Sequence, residues 1–350
     1  MRGLLRRWTC LGLIAVGLVS GAAAGCGSDS GESTGSDAAA PAKSTKPVRI
    51  AFFGPVVNGF TAVMADGVKE VAKEKQSTVR VFDPGFDVSR EFTQIQDAIA
   101  VGKYDAFVIY PLDATTLVPI VTQAIAAGIK VVTVNSPLGS SLTSVEPQVK
   151  GQSATVMEDL KRTTAQSYVD LTAQACEGID PCRFAYVAGA PATSLEKVLI
   201  DSMKAGLAKH KNIELVSILD GKGYQQQAAY TATQDLLQAH SDVHVIGSSG
   251  DQMALGVALA VKQAKASRRV KIWGAGGSCL GIKALKKGQF FGTTLRVPKT
   301  DGRLAADFVI RAARGEKVPT HRAGSDEAKQ ATVITKSSLR PDFECQWQGS

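Results

Sequence analysis

Four polar side chains, Asn58, Asp113, Asn135 and Asp251, each stand just beyond a short run of β-branched and aromatic residues. Groups of this kind could orient a small hydroxyl-bearing molecule. An ionised Asp accepts charge-assisted hydrogen bonds, and an Asn both donates and accepts. Each of the last three also has a purely local use. Asp113 could cap a helix opening at Ala114-Thr115, Asp251 could cap the helix that follows it, and Asn135 could satisfy backbone at a hinge.

Catalytic constellations do not accompany these residues. His210, His240, His244 and His321 fall at predicted helix ends or loops, where solvated histidine is the ordinary reading. No Gly-x-Ser-x-Gly elbow or P-loop occurs, and Gly274-Ala275-Gly276-Gly277 lacks the Gly-x-Gly-x-x-Gly spacing after a first strand. The pattern predicts a binding protein, not an enzyme, that carries no cofactor. Of six cysteines, Cys10 and Cys26 precede the globular region, leaving Cys176, Cys182, Cys279 and Cys345. In an oxidising compartment four cysteines suggest two disulfides, and the short Cys176-Glu-Gly-Ile-Asp-Pro-Cys182 loop favours local pairing, with Cys279 left for Cys345. Buried free thiols are the alternative. No Cys-x-x-Cys or His pair at ligand spacing points to a metal.

The first 46 residues set the compartment. Arg2, Arg6 and Arg7 precede an apolar run over 11–24 that is too short for a comfortable membrane span, and small residues follow it. This predicts a secretory signal over 1–25. Ala23-Ala24-Gly25-Cys26-Gly27 is similar to a bacterial lipobox, with Ala23 where Leu is usual, so Cys26 is the expected lipidated residue. Ordinary cleavage after an Ala-x-Ala-like site is the alternative. Residues 27–46 hold Gly, Ser, Asp, Ala, Pro and Lys with no large apolar side chain, which predicts a flexible tether over 26–46. The formal charge of +8 falls to +5 when Arg2, Arg6 and Arg7 leave with the signal. The remaining Lys and Arg are scattered among acids, which argues against a nucleic-acid partner.

The elements that must position the polar residues alternate regularly. Predicted strands at 48–53, 79–82, 106–110 and 130–134 are separated by amphipathic stretches long enough for one crossover helix each. Continuous Val/Ile/Phe strands of this kind imply a parallel sheet buried on both faces. The pattern restarts after Pro137, with a long helix expected over 152–175 and strands at 184–187, 214–219, 243–246, 270–273 and 292–297. A helix over 302–314 and a strand over 331–335 close it. The fold class is therefore α/β, with two doubly wound units. Ligands in such sheets lie at the carboxyl ends of strands, where the four polar residues stand.

Several stretches carry a family resemblance. Ile50-Ala51-Phe52-Phe53-Gly54 leads to Asn58-Gly59-Phe60-Thr61, Ile109-Tyr110-Pro111-Leu112-Asp113 ends in a Pro-x-Asp turn ahead of a helix, and Gly250-Asp251-Gln252-Met253-Ala254-Leu255-Gly256 is the most specific motif. Together they resemble the ribose/galactose type of periplasmic sugar-binding protein over about 48–335. The resemblance implies a type I periplasmic binding protein fold with three interlobe crossings, one lobe from 47–135 plus 297–320, and a second from 136–296 plus 321–345. It places Phe60 and Tyr224 in loops where aromatic faces would cover the C–H surfaces of a sugar, with local packing as the alternative. Three positions depart from the family: Asp201 stands where a sugar-binding Arg is usual, with Lys197 as a substitute. Gly276 replaces a hinge Asp, and Arg296 replaces a hinge Gln. These exchanges predict a roomier, more cationic cleft wall, with Arg296 contacting a sugar acid, other modified sugar or polyol.

The implied function is capture of a small polar ligand outside the cytoplasm and delivery to an ABC permease. The protein is expected as a monomer held to the cell membrane through Cys26. The rival output for the same fold is a sensor that presents its closed form to a membrane kinase or chemoreceptor.

Overall fold

Residue types along each strand dictate how the first sheet is covered. In β1 (Arg49–Phe53) and β3 (Ala106–Ile109) alternate residues point to opposite faces, and both faces are apolar. Phe52 and Val108 pack with Met64 and Val68 on one side, while Phe53, Phe107 and Ile109 pack with Ile95 and Ile120 on the other. The helices supplying these partners are α1 (Gly59–Glu74), α2 (Val88–Val101) and α3 (Val118–Ala126), joined from far along the chain by α9 (Pro298–Ala313). The computed structural model describes residues 45–55 and 59–349. The expected signal over 1–25, the expected lipidation site Cys26, nearly all of the expected tether and Asn58 lie outside the described residues.

The first sheet runs β11-β5-β4-β3-β1-β2, all parallel, where β2 is Thr78–Phe82, β4 Lys130–Val134, β5 Ala154–Val156 and β11 His321–Arg322. The helix boundaries follow local chemistry. Asp87 caps α2 by accepting from the Arg90 N–H, and Gly102 ends it in the left-handed conformation at φ 62°. Helices α1 and α9 touch backbone to backbone: a Cβ on Gly67 would lie 2.4 Å from the Lys299 carbonyl oxygen, and one on Gly302 2.0 Å from that of Met64.

The second sheet runs β12-β10-β9-β8-β6-β7, from β6 (Cys182–Ala188), β7 (Ile213–Asp220), β8 (Val245–Ser248), β9 (Lys271–Trp273), β10 (Gly292–Thr294) and β12 (Val333–Thr335). Only the β10–β12 pair is antiparallel. Helices α4 (Gln166–Ala175), α5 (Ser194–Leu207), α6 (Gln226–Ala239), α7 (Asp251–Gln263) and α8 (Cys279–Lys286) cover it. Disulfides join Cys176 to Cys182 and Cys279 to Cys345. Loop-closure entropy gives the second, longer loop the larger effect, about 4 against about 2 kcal/mol.

The lobe boundaries differ from the sequence expectation at two strands. Residues 154–156, expected inside one long helix over 152–175, pair with β4, and β11 pairs with β5, so both belong to the first sheet and not to the second lobe. The chain therefore crosses at 157–159, 295–297 and 323–332. Three residues carry too little pattern to separate a strand from the helix that follows; hydrogen-bonding partners decide it. That helix opens as a π-helical turn, Leu160–Ala165, capped by Asp159. Among the described residues no helix is long and apolar enough to cross a membrane.

Candidate functional site

Strand order reverses at β1/β3 in one sheet and at β6/β8 in the other, and the cavity between the lobes is walled by residues beyond the carboxyl ends of strands in both sheets. Phe60, Tyr110 and Asn135 come from the first lobe; Tyr224, Ser249 and Gln252 come from the second. This is where open α/β sheets leave a crevice for a ligand. Its solvent-reachable volume is about 50 Å³, against the roughly 10–15 Å³ that one water needs on the same measure. That is room for a small molecule.

Among the described residues Arg296 is the one charged side chain on this wall. It sits on the second crossing, donates from one terminal nitrogen to Asn135 Oδ1 and from the other to Thr164 Oγ1 at 3.4 Å, while its Nε finds no partner among the described residues. Desolvation works against its charge, but Tyr168, Glu158, Asp301 and Tyr110 around it outweigh that, so it stays cationic. Its guanidinium also lies 5.8 Å from the Phe60 ring centroid. Asn135 holds the left-handed conformation at φ 63°, which Asn tolerates better than most residues, and its backbone N–H is bonded to Val156 O at 2.8 Å.

Tyr224 is fixed from behind. Its hydroxyl donates to Glu196 Oε1 at 2.7 Å, and the same carboxyl accepts from Gly189 N at 3.1 Å. Desolvation raises the Glu196 pKa, which favours the neutral acid. Across the cleft Tyr224 meets Phe86 of the first lobe, with ring centroids 5.8 Å apart.

The two aspartates do not reach the cavity wall. Asp251 is fully buried, with Oδ2 accepting from Ser278 N at 2.7 Å and Oδ1 from Thr293 Oγ1 at 2.7 Å, so it staples the β9–α8 turn to β10. Asp113 is held locally, though it closes a turn over 114–117 and caps no helix, since α3 opens only at Val118: Oδ1 accepts from the backbone N–H groups of Thr115 and Thr116, and Oδ2 accepts from Ser194 Oγ of the second lobe at 3.2 Å. Burial pulls its pKa upward, but these donors prevail and hold it at about 2. Lys197 and Asp201 face each other on the exposed side of α5, while Leu195 and Leu199 turn toward the cavity. The expected roominess beside Gly276 is also overturned. A Cβ there would lie 2.4 Å from Trp347 Cζ2, because that indole fills the space. Trp347, Tyr110, Tyr168, Phe86 and Gln252 are wall residues that sequence reasoning passed over; Tyr110, inside the Ile109–Asp113 stretch, and Gln252, inside the Asp251 motif, carried a signal.

A buried acid behind the wall makes stability depend on pH. Glu91 of α2 accepts from Leu112 N at 3.0 Å, and desolvation raises its pKa from 4.5 to about 8. Between those values the folded chain holds a proton that the unfolded chain releases, so this group's contribution to stability falls as pH rises from about 5 to 8. Glu91→Gln should flatten the slope of the thermal midpoint over that range. An unchanged slope in differential scanning calorimetry refutes the assignment.

Comparison with known proteins follows the same outline. Residues 50–317 match the family model described as periplasmic binding protein domain. The ribose import binding protein of Haemophilus influenzae is 26% identical over 261 residues, covering 75% of this chain and 84% of its own. That of Bacillus subtilis is 23% identical over 267 residues, covering 75% and 80%. A solved ABC transporter solute-binding protein from Mycobacterium smegmatis, with bound glycerol, has TM-score 0.72 and 26% identity over 86% of this chain and 100% of its own. One from Agrobacterium vitis with bound D-fucose has TM-score 0.74 at 20% identity, over 84% and 97% of the two chains, a likeness of fold alone.

Proposed function

Since the chain belongs to the periplasmic binding protein family, in its ribose/galactose-type sugar-binding group, we propose that it is an extracytoplasmic receptor for a sugar-like ligand. The ligand is a monosaccharide, polyol or sugar acid, delivered to an ABC permease without chemical change. One observation carries the reading: a crevice lies between the carboxyl ends of two largely parallel sheets, walled by aromatic rings and by the half-buried guanidinium of Arg296. Rings cover C–H faces, and a guanidinium fork binds hydroxyl or carboxylate oxygens in a fixed plane. With Arg296 as the charged wall group, a carboxylate-bearing sugar is the class favoured within that range. Asn135, Arg296, Phe60 and Tyr224 are the residues assigned to contact it.

Attachment through lipidated Cys26 and the tether after it supplies the location, and the receptor acts as a monomer. Binding shifts an open-to-closed equilibrium about the three crossings. A thermal-shift screen over pentoses, hexoses, sugar acids and polyols identifies the ligand, and calorimetry then shows stoichiometric heat with no turnover. Small-angle scattering should report a smaller radius of gyration at saturation. An unchanged radius with ligand bound excludes hinge closure, and product formation excludes a pure receptor.

A further inference from the structure

We infer that residues 343–349 form a strap that builds one wall of the cavity and sets ligand selectivity through Trp347, anchored by the Cys279–Cys345 disulfide. The ligand-selectivity part of this inference rests on the receptor reading above. The strap lies beyond the family-like residues 50–317.

After β12 the chain turns back over the second lobe, where Phe343 packs on the apolar core. Cys345 then bonds covalently to Cys279 at the start of α8. The carbonyls of Trp347 and Gln348 accept from Cys279 N at 2.9 Å and Leu280 N at 3.0 Å, satisfying two donors that a helix start leaves open. The indole is only 3% exposed, and its Nε1 donates to Gly276 O at 3.0 Å. It meets the edge of Phe60 in the first lobe with centroids 5.4 Å apart and rings at 87°.

A second contact reaches the first lobe. Gln346 Oε1 accepts from Thr300 N at 3.1 Å, and its Nε2 donates to Thr300 Oγ1 at 2.7 Å, in the first turn of α9. The strap is therefore covalently fixed to one lobe and hydrogen-bonded to the other. When the lobes part, the Gln346 clasp is the connection that yields, while Trp347 stays with the second lobe. Glycine at 276 and tryptophan at 347 act as one unit, since a side chain at 276 and the indole cannot both occupy that space.

Four variants of the full chain test this: Trp347→Phe, Trp347→Ala, Gln346→Ala and the double Cys279→Ser/Cys345→Ser. In the absence of ligand, acrylamide quenching of tryptophan fluorescence should rise in the double serine variant, and the Trp347→Phe difference assigns the rise to position 347. Quenching equal to the unaltered chain, with folding confirmed by circular dichroism, overturns the anchor role whatever the ligand is. Calorimetry with glycerol, D-ribose, D-arabinose, D-fucose and D-glucuronate follows. Trp347→Ala should lower the affinity of the best of these at least about tenfold and reorder the series. Gln346→Ala should speed dissociation and keep the order. Affinities within twofold and an unchanged order in Trp347→Ala overturn the selectivity role. Failure of the unaltered chain to bind any of these sugars counts against the receptor reading, and the quenching result still decides the strap.

Discussion

Replacing Asp251 with alanine should lower the thermal midpoint by roughly 5–15 °C while leaving ligand affinity within about threefold at temperatures where the variant is folded. The carboxylate takes the Ser278 N–H and the Thr293 hydroxyl, both buried. Each buried donor left unmet costs about 1–3 kcal/mol, offset in part because a desolvated acid has gone. The net loss is then about 2–4 kcal/mol. Scanning calorimetry beside ligand titration separates the alternatives. A collapse of affinity with an unmoved midpoint would return Asp251 to the ligand.

Arg296→Met should produce the opposite split, with affinity for the ligand falling at least about a hundredfold. A charge-assisted hydrogen bond contributes about 1.5–3 kcal/mol, and a planar fork makes more than one. Arg296→Lys keeps the charge and loses the fork, so its affinity should fall between the two. Stability also shifts in the Met variant, because Glu158 and Asp301 lose the cation they face; burial already raises the Asp301 pKa to about 7. Titration at a temperature well below the variant's midpoint keeps the two effects apart. Affinity in Arg296→Met equal to that of the unaltered chain would remove Arg296 from the site.

The contrast between these two residues shows why motifs near strand ends are ambiguous. Asp251 and Arg296 both stand beyond a strand of the second sheet, in the position a ligand group occupies. Asp251 opens α7, and Gly274 and Gly281 leave space around its side chain: a Cβ on either would lie 2.3 Å from an Asp251 oxygen. Those glycines let the carboxylate turn inward to the β9–α8 turn. Arg296 has a longer side chain on a crossing and spans to Asn135 of the other lobe. Side-chain reach and the backbone opposite, neither of which is local in sequence, decide between the outcomes.

Much of the architecture follows from patterns in the chain itself. Continuous runs of β-branched and aromatic residues at 50–53, 106–109 and 130–134 require apolar cover on both faces, and the amphipathic segments between them supply much of it, so the parallel α/β lobes were legible. The same reasoning failed at Ala154–Val156, which is too short to carry a period, and at His321–Arg322, where two polar residues pair only because β5 lies beside them.

What the sequence determines alone is local: strand and helix period, helix caps such as Asp87 and Gly102, and the polar or aromatic residue placed after each strand. Tertiary structure alone decided that the strap around Trp347 closes onto Gly276 and Phe60, and that the Asp251 carboxylate turns inward to Ser278 and Thr293. The physical reason is range. Secondary structure is set by neighbours within a few residues, whereas the wall of a cleft is assembled from segments such as 60, 135, 224, 296 and 347, which meet only after both sheets have formed.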